Sequence, residues 1–162
     1  HLRDEAVTFT GVKTFVTAGG VVAAGVIDAS DAAAGDVGRY NQVTVSSNPY
    51  PATGVWGDAT NIILPAGDWD ISLVFATAAN GATVTENQVG LGTDSGTSTT
   101  GLITGDTLIS HPIPTNVDNS SAAITGVRKS ISATTTYYVK IRSVFTVATP
   151  LSYARISARR VR

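Results

Sequence analysis

The stretch Trp69-Asp70-Ile71-Ser72-Leu73-Val74-Phe75 alternates apolar side chains with small or polar ones. In an extended chain successive side chains point to opposite faces, so Trp69, Ile71, Leu73 and Phe75 fall on one face and Asp70 and Ser72 on the other. That rhythm predicts a strand with one face in a core, where Trp69 and Phe75 belong.

The same rhythm returns further along the chain. Over residues 137–147, Tyr137, Val139, Ile141, Phe145 and Val147 share one face, with Tyr138, Lys140, Arg142 and Thr146 on the other. Over residues 151–160, Ala154, Ile156 and Ala158 alternate with Tyr153, Arg155, Ser157 and Arg159. Shorter strand candidates cover residues 7–16, 21–27, 40–45, 61–64, 83–91, 102–109, 122–125 and 129–133. No stretch sustains a 3.6-residue apolar period. Residues 30–35 can form one helical turn, with Ser30 as N-cap and Gly35 just past its end.

Turn chemistry punctuates these segments. Leu64-Pro65-Ala66-Gly67 fits a type I turn followed by a left-handed glycine, a common hairpin connection. Asn80-Gly81 is the strongest short hairpin signal in the chain. Thr149-Pro150 separates the last two strand candidates and removes one backbone donor. Residues 93–101 and 111–121 read as polar loops. Many short strands at intervals of roughly ten residues predict an all-β fold, an antiparallel β-sandwich of jelly-roll type. The expected division is an extended N-terminal shaft or anchor segment over residues 1–37 and a β-sandwich knob over residues 38–162, hinged at residues 35–38.

Composition narrows the function classes. The 162 residues carry a formal net charge of −1, and 14% are charged, so neither sign of field favours nucleic acid or a membrane surface. There is no Cys, hence no disulfide and no thiolate metal site. The longest apolar run, residues 21–27, is too short for the roughly 20 residues that span a bilayer. The charged start His1-Leu2-Arg3-Asp4-Glu5 is followed by no long apolar run and is not a secretory signal. With no Met at any position, the chain is expected to be a piece of a longer or processed product.

Three stretches resemble segments of bacteriophage tail-fibre and virion-fibre proteins. Residues 7–15, Val-Thr-Phe-Thr-Gly-Val-Lys-Thr-Phe, resemble the "LTG…KTF" pieces of their shafts. Residues 64–72, Leu-Pro-Ala-Gly-Asp-Trp-Asp-Ile-Ser, resemble the "LPAGDWDVSG" hairpin of a family of small fibre domains. The closing strands, from Thr136-Tyr137-Tyr138-Val139 to Ile156-Ser157-Ala158-Arg159-Arg160-Val161-Arg162, resemble that family's "IRARRVR" terminus. Where the family often has Ser-Gly, this chain has Ser72-Leu73, so the strand is expected to continue without a bend. The resemblance implies the C-terminal β-sandwich domain of a virion fibre: a homotrimer on the phage particle surface. It would bind other virion proteins through residues 1–37 and attach to the bacterial surface by binding a receptor or glycan. A head fibre or capsid decoration protein is the alternative. The Ala-, Val- and Thr-rich N-terminal segment, able to intertwine with its copies, agrees with a trimer.

A search for chemistry points away from an enzyme. Nucleophilic catalysis needs a nucleophile beside a base, yet the only histidines are His1, at the terminus, and His111, in a loop near Ser110 and Asp106 without a nucleophile elbow. Asp28, Asp31 and Asp36 lack calcium-loop spacing and read as turn or capping residues. Asp68 and Asp70 flank Trp69 on the outward face of a strand. Gly90-Leu91-Gly92 lacks the third glycine and the helix of a dinucleotide site. Asn119-Ser120-Ser121 matches a glycosylation acceptor that a protein made in bacteria would not ordinarily use. No catalytic residue, metal ligand or cofactor is assigned. Arg155, Arg159, Arg160 and Arg162 form a basic cluster, able to grip an anionic glycan or to guard a strand's polar face. Tyr50 and Trp56 lie in the polar loop 46–61, where aromatic rings can stack on sugars or serve as contact anchors. The receptor-binding candidates are therefore Tyr50, Trp56 and Arg159.

Overall fold

The computed structural model describes residues 38–111 and 119–161. Residues 1–37, where a shaft or anchor segment is expected, with their strand candidates, their candidate helical turn and Asp28, Asp31 and Asp36, lie outside them, as do residues 112–118 and Arg162.

Eight strands follow one another: β1 Tyr40–Pro49, β2 Gly57–Leu64, β3 Gly67–Ala78, β4 Thr83–Gly92, β5 Leu108–His111, β6 Asn119–Ile131, β7 Thr135–Thr146 and β8 Leu151–Arg160. They form two four-stranded sheets, ordered β1-β8-β3-β6 and β2-β7-β4-β5, with every strand pair antiparallel. Only β4 and β5 are both consecutive and neighbours in a sheet; each other connection crosses to the opposite sheet. This is the strand order of a jelly roll, the all-β sandwich that the apolar rhythm predicts.

The core lies between the sheets. Trp69, Ile71, Leu73 and Phe75 of β3 are at most 1% exposed and face Leu64 of β2, Val89 of β4, and Val139 and Ile141 of β7, all buried. Ala154, Ile156 and Ala158 of β8 complete the floor beside β3. The indole Nε1 of Trp69 donates to Pro65 O at 2.9 Å, so its one polar atom is satisfied by the turn that delivers it.

Both turn signals reverse the chain, but neither makes a hairpin. At Asn80-Gly81 the φ values are 51° and 81°, and Ala82 N donates to Ala79 O at 2.8 Å, as in a type I′ turn. The flanking strands β3 and β4 nevertheless join different sheets. Likewise β2 and β3, joined by Pro65-Ala66, lie in opposite sheets, and Gly67 takes φ 152° rather than a left-handed helical value. A turn fixes the reversal; burial of the apolar faces against each other decides which sheet receives the strand.

Other boundaries shift for identifiable reasons. The candidates 122–125 and 129–133 fall on one strand, β6, which ends at Ile131 and passes through a bulge where Thr125 and Gly126 oppose Ser72, Gly126 taking φ 71°. β3 runs through Ser72-Leu73 to Ala78, as expected. β5 begins only at Leu108, because residues 102–107 are held in a turn by Thr107, whose hydroxyl accepts from Ile103 N at 2.8 Å. Val147 leaves the apolar face of β7: with φ 76° it stands beyond the strand end and is 93% exposed.

Candidate interaction surface

The two outer faces of the sandwich are built differently. On β7, inward residues alternate with Tyr138, Lys140 and Arg142, which point outward as the sequence predicts, yet Lys140 is completely buried. The loop after β4 folds back over it. Lys140 Nζ donates to Asp58 Oδ1, to Asp94 O at 3.1 Å and to Gly96 O at 2.6 Å, which accounts for all three ammonium hydrogens. Asp58 in turn accepts from Gly96 N at 2.7 Å. A bulge at Ala59 makes this clasp: strict alternation would put Asp58 on the core face with Ile62 and Leu64, and the extra residue turns it opposite Lys140.

Two glycines let the loop lie close. A Cβ at Gly90 would come within 2.5 Å of Leu102 Cδ2 and 2.9 Å of Thr107 O. One at Gly92 would come within 2.9 Å of Lys140 Cγ. The Gly-Leu-Gly run is thus the floor of a loop contact. At the side of β7, Arg142 Nε donates to Gly54 O at 2.9 Å, and its Nη1 lies 3.0 Å from Glu86 Oε1, fastening residues 51–56.

No loop contact of this kind covers the outer face of β1-β8-β3-β6 among the described residues. Its centre is a shallow groove of about 400 Å³. The floor is Val74, 43% exposed, and Ala76. Tyr153 and Arg155 flank it from β8, and the hydroxyl residues Thr44, Ser46 and Ser121 stand around it. Across the sheet Thr44, Arg155, Val74 and Ala123 form one register row. At one end of this face Arg128 holds Asp68 through two bonds, Nε to Oδ1 at 3.0 Å and Nη2 to Oδ2 at 2.6 Å. That contact raises the Arg128 pKa above its ordinary value, with Asp70 adding attraction. Asp68 thus stands on the outward face of β3, as expected, but largely buried beneath its arginine partner.

The three receptor-binding candidates separate. Tyr50 is a correction: it is 4% exposed, its ring packs edge-on against Phe75 with centroids 6.4 Å apart, and its hydroxyl donates to Asn87 Oδ1 at 2.6 Å and lies 2.7 Å from Thr77 Oγ1. This buried triad ties β3 of one sheet to β4 of the other, and burial pushes the phenol pKa well above its usual value. Its ring is not available to a sugar. Trp56 is half-buried in the segment held by Arg142. Arg159 is exposed on β8, in register between Tyr40 and Asp70 on the bare face. The structure does not bring the three together. The alternation on β8 does place Tyr153 and Arg155 outward, and their groove was missed because its other walls come from β1, β3 and β6.

Among the described residues no group of three or more His, Cys, Asp or Glu is placed to hold a metal ion. No family model matches the chain, and no curated protein matches it. Solved structures align with it only weakly. The structure of the infectious bursal disease virus Gx strain aligns with 86% of this chain and 36% of that one, at 14% identity and a TM-score of 0.38. The crystal structure of the infectious bursal disease virus VP2 subviral particle aligns with 85% of this chain and 36% of that one, at 12% identity and a TM-score of 0.40. The chain thus spans about a third of the length of these proteins.

Proposed function

We propose that this jelly roll is a structural, non-enzymatic module of a bacteriophage virion fibre, assembled as a homotrimer and attaching to the bacterial surface. The observation that carries the reading is the contrast between the two outer faces. One is roofed by the chain's own loop over a buried Lys140, while the other, among the described residues, is left uncovered around Val74, Tyr153 and Arg155. A module that spends a buried ammonium on closing one side and leaves the other open is arranged to meet something with the open side. Jelly rolls serve both capsid and lectin roles, and the resemblance of residues 7–15, 64–72 and 136–162 to virion-fibre segments favours the virion. Residues 1–37 are the connection to other virion proteins.

Antibody labelling of intact virions tests this reading, with light scattering of the purified chain. Label at tail-fibre tips, a trimeric mass, and blocked adsorption by added soluble chain are the expected results. Label confined to the head would make the protein a head fibre or decoration protein. Absence of label from virions would overturn the reading.

A further inference from the structure

We propose that the groove on the outer face of β1-β8-β3-β6 is a subsite for a single anionic sugar unit, a hexose bearing a carboxylate or phosphate. The inference rests on the attachment reading above and adds the ligand's chemical class.

Charge sets the class. Arg155 is exposed and, among the described residues, is the only charged one lining the groove. Arg128, Lys140 and Arg142 are each matched to a carboxylate, whereas Arg155 makes no ion pair among the described residues. A guanidinium offers a planar fork to carboxylate or phosphate oxygens and keeps its charge throughout the physiological range. Its register neighbours are Thr44 and Val74, so no acidic side chain on the adjoining strands competes at that row.

Shape and polarity set the rest. Val74 and Ala76 give an apolar floor for one face of a sugar ring, and the phenol of Tyr153 stands at its side. Ser47 Oγ donates to Tyr153 Oη at 3.3 Å, which restrains the phenol. The hydroxyls of Thr44 and Ser121, on opposite sides of the groove, suit the ring hydroxyls. A volume of about 400 Å³ falls at the small end of the ligand-site range.

Saturation-transfer NMR on the purified full chain tests this with four probes: methyl β-glucuronide, glucose 6-phosphate, methyl β-glucoside and inorganic phosphate. Transfer to the ring protons of one or both anionic sugars is expected, and which of them responds identifies the acid group. The neutral glucoside should bind about fivefold more weakly, the scale of one solvent-screened charge-assisted contact. Inorganic phosphate, which has no ring to stack, should fail to displace the sugar at equal concentration. Arg155→Gln should abolish the preference for the anionic sugars, and Val74→Glu should abolish binding with the solution mass unchanged. Equal binding of the neutral glucoside, no response to any sugar, or indifference to Arg155→Gln would overturn the proposal. So would a lower solution mass for Val74→Glu, which would make this face a contact between copies. A chain found on virions that ignores these sugars would sink the subsite alone; a chain absent from virions would sink the attachment reading whatever the sugars do.

Discussion

Lys140 Nζ, with none of its side chain exposed, is held against Asp58 Oδ1 across the β2–β7 pair, 82 residues apart in the chain. The pair gains from the two backbone carbonyls that complete the ammonium shell, because a buried charge is tolerated only when fully paired. Lys140→Met should therefore cost about 3 kcal/mol in urea unfolding, the low end for breaking a buried pair, since Asp58 keeps some contact with water. Faster hydrogen exchange at the Gly96 amide should accompany it. A loss below about 0.5 kcal/mol would mean that the clasp contributes nothing.

Gly90 should be the least replaceable glycine of β4. An added Cβ meets the Thr107 backbone oxygen at 2.9 Å, and Thr107 O already accepts from Leu91 N at 2.8 Å. Gly90→Ala should destabilise by about 2 kcal/mol through overpacking, read as a shifted urea midpoint at constant m-value.

Gly81→Ala tests backbone conformation alone. The nearest neighbour of its Cβ would be Ala148 at 4.0 Å, an ordinary contact, while φ is 81°. The left-handed penalty predicts a loss of about 1 kcal/mol. Differential scanning calorimetry should show it as a drop of about 3 °C.

Alkaline pH should weaken the fold through Tyr50. The unfolded phenol ionises near pH ~10, whereas burial holds the folded one protonated to higher pH. Above pH ~10 the folded chain thus binds more protons than the unfolded chain. Stability is at full value below that pH and declines as pH rises towards the folded value. Tyr137, raised by burial in the same direction, adds to the decline. Tyr50→Phe should flatten the Tyr50 share of the profile. At neutral pH it should cost about 1–2 kcal/mol, because Asn87 Oδ1 loses its donor. Chemical unfolding from pH 7 to 11 reads both effects.

The strands were legible because each buries one face, and a two-residue apolar rhythm survives without knowledge of partners. β8 matches its sequence bounds residue for residue, and β4 extends one residue further. Sheet membership was not legible: Asn80-Gly81 encodes a reversal, and the same turn serves a hairpin or a crossing. Tyr50 was misread because its loop position argues for exposure, whereas its partners Thr77 and Asn87 come from strands 27 and 37 residues away. Lys140 read as a surface cation because its roof arrives from residues 94–96, and nothing at Ala59 announces the bulge that aims Asp58 at it.

The roof loop is fastened by main-chain atoms, the carbonyls of Asp94 and Gly96 and the amide of Gly96. The side chains of Ser95, Thr97 and Thr99 point away, exposed, and take no part in that anchorage. Mutation can therefore rewrite the chemistry displayed on this loop while the scaffold beneath is spared, giving the lineage room to drift there without surrendering foldability.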